Sequence, residues 1–191
     1  MIVGVDMKQV QELARALEGT KRGLQTEMRV AINKTVNSTF TKVSRDVRKE
    51  VMVKARDIKK VMRKVRPKGG MLPNGKVILE HEKRLSLKYF GAKQNKRKRS
   101  GVSYQISRKG GRKILKGGFM GPRPGVIAPR LGGHVFARKG KARLPIQKKF
   151  GVSPWGVYLV NDFDGETRKF ATNRLQVEMN RRIDFVLRRL K

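Results

Sequence analysis

The sequence predicts an α+β fold: long N-terminal helices, a small antiparallel sheet with basic hairpin loops, and a C-terminal helix. Three observations predict it. From Leu24 to Val51 apolar residues recur every three or four positions, the spacing of one helix face. Near residue 84 the repeat changes to every second residue, the spacing of a half-wet strand. From Leu175 to Leu190 the helical spacing returns.

Taken in order, residues 5–18 predict a short amphipathic helix with Val10, Leu13, Ala14 and Leu17 on one face, ended by Gly19. A long helix follows over 20–52, with Leu24, Met28, Ile32, Val36, Phe40, Val43, Val47 and Val51 as its stripe. Thr35, Ser38, Thr39 and Thr41 weaken its intrinsic helicity, so packing must hold it. One reading is a helix that buries this face in the chain's own core; the sharper one, since the stripe is more apolar surface than a thin core readily absorbs, is that a second copy also packs on it. Residues 54–65 predict a third helix with Ile58, Val61, Met62 and Val65 inward, stopped by Pro67 and the glycines after it. Strands are expected near 84–91, 102–107, 112–120 and 134–146, forming one sheet, with "GGFMGPRPGVIAPRLGG" as a Gly/Pro arm. Ser153 before Pro154 predicts a helix start. The chain divides into an N-terminal helical region (1–66), a basic β-rich region (67–153) and a C-terminal helical region (154–191), read as one domain.

Charge dominates the composition. The 191 residues carry 48 Lys and Arg against 14 Asp and Glu, a formal net charge of +34. Between Lys83 and Asn161, 79 residues hold 21 Lys and Arg and no acid. Such a chain repels itself and calls for a polyanion, of which nucleic acid is the commonest, or for an acidic neighbour. The cations cluster at three hairpin tips. They are Lys93, Lys96, Arg97, Lys98 and Arg99 in "KQNKRKRSG"; Arg108, Lys109, Arg112 and Lys113 in "RKGGRK"; and Arg138, Lys139, Lys141 and Arg143 in "RKGKAR". Contact would be with phosphates, without sequence reading, since no helix-turn-helix, zinc finger or basic zipper is present. Tyr89, Phe90 and Tyr104 offer rings for base stacking, although strand alternation favours a core role for both tyrosines.

Other chemistry finds little support. The chain has no Cys, which removes disulfides and thiolate metal sites. No apolar run approaches the ~18 residues of a membrane span, and the N-terminus has no secretory pattern. His81 stands between Glu80 and Glu82, but adjacent strand residues point to opposite faces and do not converge on one ion. "DFDGE" at 162–166 lacks the ligand spacing of a calcium loop and reads as acids at a helix N-terminus. No catalytic set or cofactor is expected, and the chain is read as non-enzymatic.

The pieces "VKARDIKKVMRK" (53–64), "RLSLKYFGAKQNKRKRSGVSYQISRKGGRKILKGGFM" (84–120) and "HVFARKGKARLPIQKKFGVS" (134–153) carry a resemblance. Their collinear order resembles the minor tail protein Z group, tail-completion proteins of long-tailed phages, over about residues 25–191. The resemblance implies a virion protein at the head-proximal end of the tail that completes it and joins it to the capsid. It further implies a homo-oligomeric ring, most simply a hexamer, around double-stranded DNA, with other tail and neck or connector proteins as partners and no membrane. Two other classes share the composition. One is an RNA-binding protein of ribosomal type. The other is a nucleic-acid enzyme, for which only Asp162, Asp164 and Glu166 offer clustered carboxylates.

Overall fold

The computed structural model describes residues 21–68, 74–81, 83–95, 101–122 and 131–190. The helix expected over 5–18 and the cations Lys96, Arg97, Lys98 and Arg99 lie outside the described residues. The class is α+β, as expected. Helix α1 spans Lys21–Glu50, α2 Ala55–Lys59, α3 Pro154–Val160 and α4 Phe163–Leu190. Eight short strands lie between them: β1 Met62–Val65, β2 Lys76–Leu79, β3 Lys93–Gln94, β4 Val102–Tyr104, β5 Lys113–Leu115, β6 Gly118–Met120, β7 Val135–Arg138 and β8 Ile146–Lys148. They form two compact units.

The first unit combines α1 up to Ser44, the β1–β2 hairpin and α4. Met28, Ile32, Val36, Phe40 and Val43 of the predicted stripe are buried here, with Ala31, Met62, Val77, Ala171 and Leu175. Each buried aliphatic or aromatic side chain contributes about 1.5–3 kcal/mol, which offsets the weak helicity of the threonines. Thr35 answers its own burial by bonding the Ala31 carbonyl at 3.0 Å. Ion pairs fix α4 antiparallel to α1: Glu27 to Arg182 (3.1 Å), Lys34 to Glu178 (3.5 Å) and Lys42 to Glu166 (3.6 Å). The β1–β2 hairpin lies against α1, with Lys64 bonded to Asn37 (2.7 Å) and its ammonium 4.7 Å from the Phe40 ring centre.

The second unit takes Arg45–Val61 and Glu80–Val160. Its core is Val47, Val51, Val53, Ile58, Val61, Leu85, Leu87, Phe90, Val102, Val135, Phe136 and Tyr158. Strands β3-β4-β5 make one antiparallel sheet and β6-β7-β8 another. Met120 N–H bonds Gln94 Oε1 at 2.9 Å and so ties β6 to β3.

Four expectations are corrected. The helix over 54–65 stops at Lys59, and 62–65 is strand β1, paired with Lys76–Leu79. The spacing Ile58, Val61, Met62, Val65 suits a helix, but pairing with "KVIL" overrides it. The strand over 84–91 is a single bridge from Ser86 to Phe150 followed by a 3-10 turn, Leu87–Tyr89. That turn places Phe90, three after Leu87, in the core at 0% exposure, where no base can stack on it. The single sheet is two, divided where Lys116 and Gly117 turn the 112–120 run into β5 and β6. Finally, every described member of the Met28–Val51 stripe is buried by the chain itself, so the stripe offers no face to a second copy.

Candidate nucleic-acid interface

All the described cationic tips belong to the second unit. The first joins β3 to β4: Lys93 pairs with Ser103 and Gln94 with Val102. Asn95 N–H and Gln94 Nε2 both donate to the Gly101 carbonyl, at 3.2 and 3.1 Å, closing the flanks of the tip. Lys93 is exposed on this edge strand.

The second tip joins β4 to β5, as the "RKGGRK" turn predicted. Its cations are not all free. Arg108 Nε donates to the Arg48 carbonyl at 2.5 Å, and Arg108 N–H to the Glu50 carbonyl at 2.9 Å. Those carbonyls close α1 and have no partner inside the helix, so Arg108 caps it and its charge opposes the negative end of the dipole. Lys109 reaches Glu50 at 3.7 Å. Arg112 NH2 bonds the Gly91 carbonyl (2.7 Å), the Ser103 carbonyl (3.1 Å) and Ser103 Oγ (3.2 Å). Lys113 is exposed in β5.

The third tip joins β7 to β8, in register Arg138↔Ile146. Lys139 N–H bonds the Pro145 carbonyl at 3.1 Å and fixes the turn. Arg138, Lys139, Lys141 and Arg143 are exposed, and no bond from their charged groups is formed among the described residues.

Of the candidate stacking rings, Tyr89 and Tyr104 are half-buried. Tyr89 has the ammonium groups of Lys60 and Lys88 at 5.0 and 5.2 Å from its centre and His134 edge-on at 6.5 Å. The acids of "DFDGE" serve structure: Asp164 pairs with Arg168 (2.8 Å) and Glu166 with Lys42, while Asp162 turns the chain at φ 46 between α3 and α4. His81 is exposed, and its carbonyl accepts the Ser153 hydroxyl at 3.2 Å. Among the described residues no helix is long and apolar enough to cross a membrane, and no three His, Cys, Asp or Glu lie together as metal ligands.

Sequence reasoning missed His134. Its Nδ1 lies 2.7 Å from Ser86 Oγ, a cross-link between segments 48 residues apart, and Lys88 Nζ bonds the Gly132 carbonyl beside it at 3.0 Å. No sequence signal pairs two such distant residues. Burial first, then the charges of Lys148 and Lys88, push His134 down to about 4. The unfolded ring titrates near ~6.5. Between those values the unfolded chain binds the proton and the folded one does not, so stability falls as pH drops from about 6.5 to about 4. His134→Asn keeps a polar partner for Ser86 and removes the titration. The melting-temperature advantage of wild type over His134→Asn is expected to shrink across that window; a constant difference contradicts the assignment.

Compared with known proteins, residues 7–191 match the family described as prophage minor tail protein Z. No curated protein and no solved structure matches the chain.

Proposed function

The chain belongs to the prophage minor tail protein Z family, a structural component of the phage tail, and on that premise we propose that it completes the head-proximal end of the tail and joins tail to head. In this reading it acts without catalysis, as a homo-oligomeric ring, most simply a hexamer, whose basic tips face double-stranded DNA in the channel. Its partners are the adjoining tail and neck proteins. The observation that carries the reading is the acid-free stretch from Lys83 to Asn161, whose 21 cations meet no acid within it. Repeated around a ring, such cations build a positive field that holds DNA by its phosphates. With the α1 stripe buried within the chain, this reading puts the ring contacts elsewhere; the exposed large apolar groups among the described residues are Met52, Ile114, Leu144, Phe150, Leu159, Val160, Val177 and Phe185. Family membership gives the RNA-binding alternative no support.

The test is assembly without the chain. Lysates of a phage lacking it are expected to hold filled heads and tails that do not join, with joining restored by the purified protein. A normal yield of infectious particles without it contradicts the proposal.

A further inference from the structure

We infer that the β7–β8 turn, residues 138–143, is a phosphate-binding site for double-stranded DNA, and that the 108–112 turn, although also basic, is not. The inference rests on the DNA-facing reading above and divides its candidate residues by what each cation already does.

In the 108–112 turn the charged groups are engaged. Arg108 holds the last carbonyls of α1, Arg112 spans Gly91 and Ser103, and Lys109 faces Glu50. A phosphate drawing Arg108 or Arg112 away would cost the bonds these arginines make to the Arg48, Gly91 and Ser103 carbonyls, a cost the 138–143 turn does not bear. The charge of this turn is used inside the fold.

The 138–143 turn differs in every respect that matters to a polyanion. Four cations stand within six residues, exposed, with no bond from their charged groups among the described residues. Gly140 and Ala142 alternate with them, and a side chain added at Gly140 would meet nothing within 4 Å. Small spacers let a nucleic-acid backbone come close enough for direct N–H···O bonds. The turn is pinned at its base by the Lys139–Pro145 bond and the strand register, so little order must be acquired on binding. Two arginines supply forked donors suited to phosphate oxygens, and two lysines supply point charges. Within 138–143 the only apolar side chain is the Ala142 methyl, while exposed Leu144 follows directly and is the apolar group on which a protein partner would anchor. No base edge is read, so binding is indifferent to sequence.

The experiment measures affinity of the full-length protein for two 30-base-pair duplexes of unrelated sequence across a salt series. Each phosphate ion pair removed lowers the slope of log affinity against log salt by about 0.9. The variant Arg138→Ser/Lys139→Ser/Lys141→Ser/Arg143→Ser is expected to keep its melting temperature and to lose about three to four from the slope, equally on both duplexes. Lys141→Glu alone is expected to flatten the slope by at least about one and serves should the quadruple variant fold poorly. Arg112→Lys is expected to keep the wild-type slope but melt lower. If wild type binds both duplexes and the 138–143 variants keep its slope, this inference is overturned while the DNA-facing reading stands. If wild type binds neither duplex, that reading itself fails. If Leu144→Ser blocks head–tail joining while the 138–143 variants keep the wild-type slope, the turn docks on an acidic protein and the inference is overturned.

Discussion

Glu178→Ala is expected to destabilise the protein by about 2–3 kcal/mol, a fall of about 5–10 °C in melting temperature for a chain of this length. Glu178 is 1% exposed. Three cations compensate it: Arg174 at 2.6 Å, Arg181 at 3.4 Å and Lys34 at 3.5 Å. Lys34 comes from α1, so the carboxylate joins the two long helices of the first unit. Removing it leaves three like charges around a void. Breaking a fully buried pair costs about 3–5 kcal/mol. Here the cations are 36–63% exposed and can turn to water, which lowers the figure. Glu178→Gln keeps the shape and an acceptor and should cost about half as much. Thermal unfolding monitored by circular dichroism measures both; a change under about 0.5 kcal/mol for the alanine variant contradicts this account.

Gly101→Ala is expected to cost about 3 kcal/mol or more and to loosen the 93–101 tip. Gly101 has φ +80, where a side chain alone costs about 1–2 kcal/mol. An added Cβ would also overlap the Leu115 carbonyl oxygen and stand 3.1 Å from Lys116 Cα, neither of which can yield without moving β5. The same carbonyl of Gly101 that receives Asn95 and Gln94 would be displaced, so the tip loses its closure. Gly140→Ala is the control: its space is open, and a change within about 0.5 kcal/mol is expected. Similar melting temperatures for the two variants would contradict the argument from geometry.

Much of the fold was legible because period carries burial. The α1 stripe from Met28 to Val51 is buried at every position the spacing named. The turns "RKGGRK" and "RKGKAR" join paired strands because glycine and like charges mark exposed reversals. Failures came where long-range pairing decides. Nothing local in "MRKV" announces its partner "KVIL" across the intervening residues. In "RLSLKYF" the alternation that suggested a strand lost to the core's demand for Phe90. Among the described side chains of α4 the buried positions are Thr167, Ala171, Leu175 and Glu178, and an apolar stripe search passes over the threonine and the glutamate. The candidate site was legible as charge but not as function. Arg108 and Arg138 look alike in sequence, and only their partners show that one caps a helix while the other stands free.

The most direct test of the central claim is electron microscopy of the intact virion at a resolution that traces this chain. The account predicts six copies in a ring at the head-proximal end of the tail, with residues 138–143 of each copy turned to the DNA. A single copy on the axis, a place at the distal end, or a 138–143 turn packed against protein and away from DNA would contradict it.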